Sequence, residues 1–290
     1  MSVDLLQDKI RKTKNPSMLE LCLKPSELPS QILLANEHPA AAYEQFSREL
    51  LTALKGIVPA VRVSFASVAL LGPQGMTALQ NTLKFAHDQG FYVCMDAPEI
   101  FSAQSAAMMA EAIFGEDSSF FCDGLILSGY AGSDVIKPFL PYCKEGKKDI
   151  FVVARTANKS APELQDLIAG TRLVHAAAAD HVNRYGADTA GKRGYTRVGI
   201  LAAASSAESL KNLRTRYPKL FMLLDGYDYP NSNAKNCSFA FDKFGHGAVA
   251  IAGRSITCAQ AESEEGDYIQ AAVAAAERMK KNLTRYITIL

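Results

Sequence analysis

The chain has 290 residues, with 31 Lys and Arg against 30 Asp and Glu, 48% hydrophobic residues, 19 Gly, 12 Pro and no Trp. So even a charge balance excludes a chain built around a broad basic nucleic-acid surface or a polybasic membrane anchor, while the length permits a large core in one or two domains. No apolar run approaches the roughly 20 residues that cross a bilayer, and residues 1–15 are charged and interrupted rather than signal-like, so a cytoplasmic protein with no membrane or nucleic-acid partner is expected.

Short apolar runs alternate with longer amphipathic stretches from one end to the other. Strands are predicted at residues 19–23, 60–63, 91–95, 123–127, 150–154, 197–201, 220–224 and 248–252. Between them stand helix starts. Gly72-Pro73 opens a helix to about His87, Ser160 with Glu163 forms a capping box, and Ser205 with Glu208 forms another. Residues 173–185 read as a helix followed by a Gly-rich turn, which makes the connection over 169–194 longer than a standard one. Residues 267–286 are Ala-rich with Lys and Arg toward the end, as a final helix requires.

Eight βα units predict a closed (β/α)8 TIM barrel. An open doubly wound sheet alternates in the same way, but the G-x-G-x-x-G fingerprint of its nucleotide-binding members is missing. Residues 1–290 parse as one barrel domain with an extra helix and loop near 169–194. The six cysteines, Cys22, Cys94, Cys122, Cys143, Cys237 and Cys258, include no C-x-x-C pair, so reduced thiols used as small core residues are expected. The five histidines are scattered, with His175 and His181 six apart, which is not metal-ligand spacing. Neither a metal nor another cofactor is expected.

In such a barrel the chemistry sits at the carboxyl ends of the strands. The residues there are Lys24-Pro25, Arg62, Asp96, Ser128-Gly129-Tyr130, Arg155-Thr156, Asp225-Gly226-Tyr227 and Gly253-Arg254. The run Leu127-Ser128-Gly129-Tyr130-Ala131-Gly132-Ser133-Asp134, with Lys137-Pro138-Phe139-Leu140, resembles the bacterial type of orotidine 5′-phosphate decarboxylase. So do Val153-Ala154-Arg155-Thr156-Ala157-Asn158, Glu163-Leu164-Gln165-Asp166-Leu167, Ile57-Val58-Pro59-Ala60-Val61, Val198-Gly199, Gly226-Tyr227 and Gly253-Arg254-Ser255-Ile256. The resemblance covers nearly the whole chain and implies a (β/α)8 barrel, a homodimer with active sites at the shared interface, and no cofactor.

The catalytic motif departs from the family. Asp-x-Lys-x-x-Asp, in which the lysine donates the proton and the second aspartate crosses the dimer interface, here reads Asp96-Ala97-Pro98-Glu99-Ile100-Phe101. Only Asp96 is retained, since Pro98 has no proton to give and Phe101 has no charge. Val-Lys-Pro after the second strand reads Val61-Arg62-Val63, and Gly-Leu-Asp-Pro after the first reads Cys22-Leu23-Lys24-Pro25. Enzymes of the greatest proficiency lower barriers by up to about 23 kcal/mol, which takes placed charges and a positioned acid. Glu99 is a neighbouring carboxylate that would have to be held neutral to replace that acid.

Lys24, Arg62 and Asp96 are expected at the barrel mouth, either as a structural ion-pair network or as a ligand site. At the phosphate end, Arg254 stands where the family has its phosphate-binding arginine. Pro230 stands on the family's glutamine, with Asn231 or Ser232 as substitute donors and two added aspartates, Asp225 and Asp228, that would repel a phosphate. Thr156, Asn158 and Ser128 complete the candidate ligand-binding set. Three readings follow: a decarboxylase-family barrel without the decarboxylase activity that binds a small phosphorylated or anionic ligand, an active decarboxylase with a rearranged site, and a non-catalytic dimer partner of an active paralogue.

Overall fold

Eight short apolar segments pair in parallel, each with its neighbours in sequence, and the last closes on the first to make the predicted barrel. The computed structural model describes residues 2–98, 100–262 and 267–290. The barrel strands are Ser17–Leu21, Ala60–Val63, Tyr92–Asp96, Gly124–Ser128, Asp149–Val153, Thr196–Ala203, Leu220–Asp225 and Ala248–Ala252. Parallel strands covered on both faces read as continuous apolar runs rather than alternating ones, and that is how these were recognised. The first strand ends two residues earlier than predicted. Its apolar pattern continues through Cys22 and Leu23, but the Leu23 amide turns to the Ser67 hydroxyl at 2.6 Å instead of joining the ladder.

The helices correct the sequence reading in three places. Ser160 and Glu163 form no capping box. Glu163 donates its amide to the Ser160 carbonyl in a short turn, Ala161–Glu163, while the Ser160 hydroxyl takes the Asn158 side-chain amide. A two-residue hairpin, Ile168–Ala169 with Arg172–Leu173, then leads into the helix Val174–Gly186. The helix expected from Ser205 and Glu208 is Ala207–Arg216, with Ser206 at its N-cap and no side-chain cap. An unanticipated helix, Ser2–Thr13, opens the chain, and its Val3, Leu6 and Ile10 repeat at helical spacing on a buried face. The final helix, Tyr268–Thr284, is capped by the Asp267 carboxylate, which accepts the amides of Ile269 and Gln270.

Strand register decides what fills the barrel. Neighbouring partners share a face, so Glu20, Arg62, Cys94, Gly124 and Asp149 form one row of side chains across five strands. The middle of the interior is apolar, with Phe151 and Phe221 meeting edge to face at 6.2 Å. Two glycines make room for them. A Cβ on Gly199 would lie 2.5 Å from the Phe221 carbonyl and 2.8 Å from the Phe151 ring, and one on Gly124 would lie 2.4 Å from the Tyr92 hydroxyl. The amino-end floor is polar, with Asp149 accepting hydrogen bonds from Ser2 and, at 2.7 Å, from Tyr92.

All six cysteines are free. Cys94, Cys122, Cys143 and Cys237 are buried as small core residues, Cys258 is half-buried, and Cys22 is exposed because it lies beyond the end of the first strand. Among the described residues no helix is long and apolar enough to cross a membrane, and no cluster of His, Cys, Asp or Glu is arranged to hold a metal ion.

Candidate functional site

The carboxyl end of the barrel is built around one guanidinium. Arg62 sits on the second strand among apolar neighbours, so the closed sheet forces its side chain into the interior. There it pairs with Glu20 of the first strand at 3.1 Å, Asp225 of the seventh at 3.1 Å and Asp96 of the third at 3.4 Å. Burial works against the Arg62 charge, but Glu20, Asp225 and Asp96 overcome it and hold the guanidinium above the ordinary arginine range. Glu20 is raised, chiefly by burial and further by Asp225 and Asp96, with Arg62 pulling the other way. Three carboxylates and one cation leave this mouth with a formal charge of −2 when all are ionised.

Asp96 is also tied to the second strand's exit. Its Oδ1 accepts the Phe65 amide at 2.6 Å and its Oδ2 the Ser64 hydroxyl at 3.3 Å. The expected grouping of Arg62 with Asp96 is therefore present, and Lys24 is outside it. Lys24 is exposed, and its backbone amide donates to Glu27 Oε2 at 2.9 Å. The strand leaves the barrel before reaching Lys24, which is why its side chain does not point into the mouth. Glu99, the other candidate acid, lies outside the described residues.

At the ends of the seventh and eighth strands, carboxylates of the chain itself pair with the backbone amides and with the expected anion ligand Arg254. Asp228 Oδ2 accepts the amides of Gly253 at 2.8 Å and Ser255 at 3.2 Å, while Oδ1 accepts the Ser255 hydroxyl at 2.5 Å. Arg254, between those two amides in sequence, pairs with Glu27. Of the two added aspartates, Asp225 pairs with Arg62 and Asp228 is held by the Gly253 and Ser255 donors. Asn231, the candidate substitute donor, lies on the same loop as Asp228. It is exposed, and its carbonyl accepts the Asn236 side-chain amide at 3.3 Å.

The hydrogen bonds of the remaining candidates are local to the strand ends and loops that carry them. Thr156 donates its amide to Gln165 Oε1 at 2.8 Å, and its hydroxyl is bound to the same side chain. Arg155 makes a two-pronged pair with Asp166, both contacts at 2.9 Å. Asn158 closes a turn by accepting the Ala161 amide. Ser128 ends the fourth strand, with its hydroxyl 3.5 Å from the Tyr130 amide. Among the described residues none of these is hydrogen-bonded or ion-paired with a member of the Arg62 cluster.

Sequence reasoning missed Glu20 and Glu27 and assigned Asp225 and Asp228 no partner. Glu20 carried a legible signal: it is the lone charge in the apolar run over residues 18–23, and an ionisable side chain inside a barrel strand needs a partner on a neighbouring one. Glu27 carried none, because its partner Arg254 is 227 residues away.

No family profile matches the chain. Orotidine 5′-phosphate decarboxylase of Rhodopirellula baltica is 31% identical over 229 residues, spanning 78% of this chain and 76% of that protein. The enzyme of the same name from Clostridium kluyveri is 29% identical over 269 residues, spanning 92% and 90%. Among solved structures, a putative orotidine 5′-phosphate decarboxylase from Streptomyces avermitilis superposes with a TM-score of 0.81 at 22% identity over 98% of this chain and 95% of that one. Leishmania donovani OMP decarboxylase superposes with a TM-score of 0.77 at 22% identity over 99% and 98%.

Proposed function

The chain belongs to the orotidine 5′-phosphate decarboxylase family, and from that premise we propose that it no longer decarboxylates orotidine 5′-phosphate and persists as a binding or regulatory barrel. The observation that carries this reading is the state of the only cation in the mouth cluster. Arg62 is enclosed by Glu20, Asp96 and Asp225, and it stands where the family has a lysine. The proton donor's place holds Pro98, so no mobile ammonium faces the carbon that would lose carbon dioxide. A guanidinium is not a replacement, since it is effectively never deprotonated at neutral pH.

A small phosphorylated or anionic ligand enters this barrel only by displacing Asp228 from the Gly253 and Ser255 amides and Glu27 from Arg254. The test is complementation of a uracil-requiring strain that lacks the decarboxylase. No growth is expected from this chain under conditions where an active homologue restores it. Growth at the homologue's rate overturns the reading in favour of an active enzyme with a rearranged site.

A specific observation favours a dimer as well. Phe101 is 79% exposed and Met108 is 66% exposed, and both lie just beyond the third strand, where the family's crossing aspartate is replaced by apolar surface. Apolar area of this kind is buried by association, with a second copy or with an active paralogue. Sedimentation of the purified chain, alone and mixed with the paralogue, checks this, and a monomer in both overturns it.

A further inference from the structure

We propose that Ser209, His175 and Asp166 form a nucleophile, general base and orienting carboxylate that hydrolyse carboxylic esters of short apolar acyl groups, at a site separate from the barrel mouth. The three come from different elements: Asp166 from the loop after the fifth strand, His175 from the helix Val174–Gly186 and Ser209 from the helix Ala207–Arg216. His175 Nδ1 lies 3.1 Å from Asp166 Oδ1 and 3.0 Å from the Gln165 carbonyl. Both neighbours are acceptors, so Nδ1 carries the proton. Nε2 then presents its lone pair to the Ser209 hydroxyl, 3.4 Å away. That is the tautomer a general base needs, and a nucleophile–base contact of this length tightens when substrate binds.

The supporting parts are in place. Arg155 grips both oxygens of Asp166, which holds that carboxyl below the ordinary range, with His175 adding to the effect, and fixes its orientation toward the imidazole. His175 is buried while Ser209 is partly exposed, so the base is shielded and the hydroxyl is reachable. All three line a cavity of about 710 Å³ whose apolar wall is Leu173, Ala176, Leu213 and Tyr217, a size that suits a small ligand. Ser209 is the third residue of its helix, where backbone amides have no carbonyl partner within the helix. On this proposal those amides are the donors that meet the oxyanion formed when the carbonyl is attacked.

The chemistry closes on itself. Ser209 Oγ bonds to the ester carbonyl carbon as its proton passes to His175 Nε2. The bond from that carbon to the alcohol oxygen breaks, and the alcohol leaves with the proton. Water then attacks the acyl-serine with His175 again taking the proton, and the carboxylic acid leaves as the Ser209 hydroxyl is restored. Water is the only co-reactant.

The experiment treats the whole folded chain with a fluorophosphonate probe, maps the modified residue by mass spectrometry, and follows p-nitrophenyl acetate hydrolysis in parallel. Labelling is expected on Ser209 in the native protein and not after heat denaturation. Ser209→Ala, which removes one partly exposed hydroxyl and leaves the packing intact, is expected to abolish both signals. His175→Gln, checked by circular dichroism for retained fold, is expected to slow labelling by about 100-fold or more. Labelling of Ser209 no faster than of other serines, or unchanged by His175→Gln, overturns the proposal. The complementation result does not depend on Ser209, so the two readings fail separately.

Discussion

Arg62 on the second strand reaches across the barrel mouth to Asp225 on the seventh, 3.1 Å away, and so joins two strands separated by the first and the eighth. With Glu20 and Asp96 as further partners, the guanidinium acts as the bolt of the carboxyl end. Its Nε is buried with no acceptor, so one donor of the guanidinium stays unpaired even with three carboxylates around it. A mouth of this kind is held together by its own charges, and chemistry on a bound anion would need those charges released.

Arg62→Met leaves three carboxylates facing one another with no cation. Removing one member of a buried ion cluster costs about 3 to 5 kcal/mol, and urea denaturation at pH 8 is expected to show a loss of that order. Glu20, raised by burial with Arg62 pulling the other way, loses that pull in the variant and sits further above its unfolded value, so its repulsion with Asp96 and Asp225 is present at high pH and relieved as pH falls toward that value. The gap between wild type and variant is therefore expected to narrow at pH 5. A gap that stays constant with pH would show that the loss comes from packing alone.

Asp228→Gly frees the amides of Gly253 and Ser255 and the Ser255 hydroxyl, and it removes a negative charge from the same place. Titration with uridine 5′-phosphate is expected to show binding at least about tenfold tighter in the variant than in wild type, a difference of ~1.4 kcal/mol. Equal affinities would mean that Asp228 does not control access to those donors.

The barrel was legible because its strands are apolar runs of the right length and spacing, and two of them, Ala60–Val63 and Ala248–Ala252, match the predicted bounds. The capping signals at Ser160 and Ser205 misled because the same side-chain chemistry serves turns, and Ser160 was taken by Asn158. Arg62 and Asp96 were legible as a pair because each stands at the end of a strand. The partners that decide their state were not, since Glu20 and Asp225 become neighbours only when the eighth strand closes on the first. Glu27 and Arg254 meet for the same reason, and no local pattern encodes a contact of that range.

Gly199→Ala tests the packing that this closure produces. The added Cβ meets a backbone carbonyl and the Phe151 ring at distances that neither can relieve by rotating a flexible end. Overpacking of a core costs about 1 to 3 kcal/mol, so the urea midpoint is expected to fall with an unchanged slope. A midpoint within error of wild type would mean the interior at this level is loose.

Asp149, at the opposite end of the barrel, makes a pH-dependent stability prediction whose sign follows from its surroundings. Burial pushes its carboxyl up to about 7, against hydrogen bonds from Ser2 and Tyr92 that favour the ionised form. In the unfolded chain the group titrates near ~4. The folded state therefore holds a proton that the unfolded state has already released between those values. Stability is fully present below about pH 4, declines as pH rises, and levels off once both states are ionised above about pH 7. Three units correspond to on the order of 4 kcal/mol. Asp149→Asn carries no such titration, while its side-chain oxygen can still accept one of the two hydroxyls. The difference in unfolding free energy, variant minus wild type, is expected to move in the variant's favour by a few kcal/mol between pH 5 and pH 8. Other carboxylates contribute equally to both proteins and cancel in that difference. A value independent of pH would show that Asp149 is ionised throughout, and that the two hydroxyls outweigh its burial.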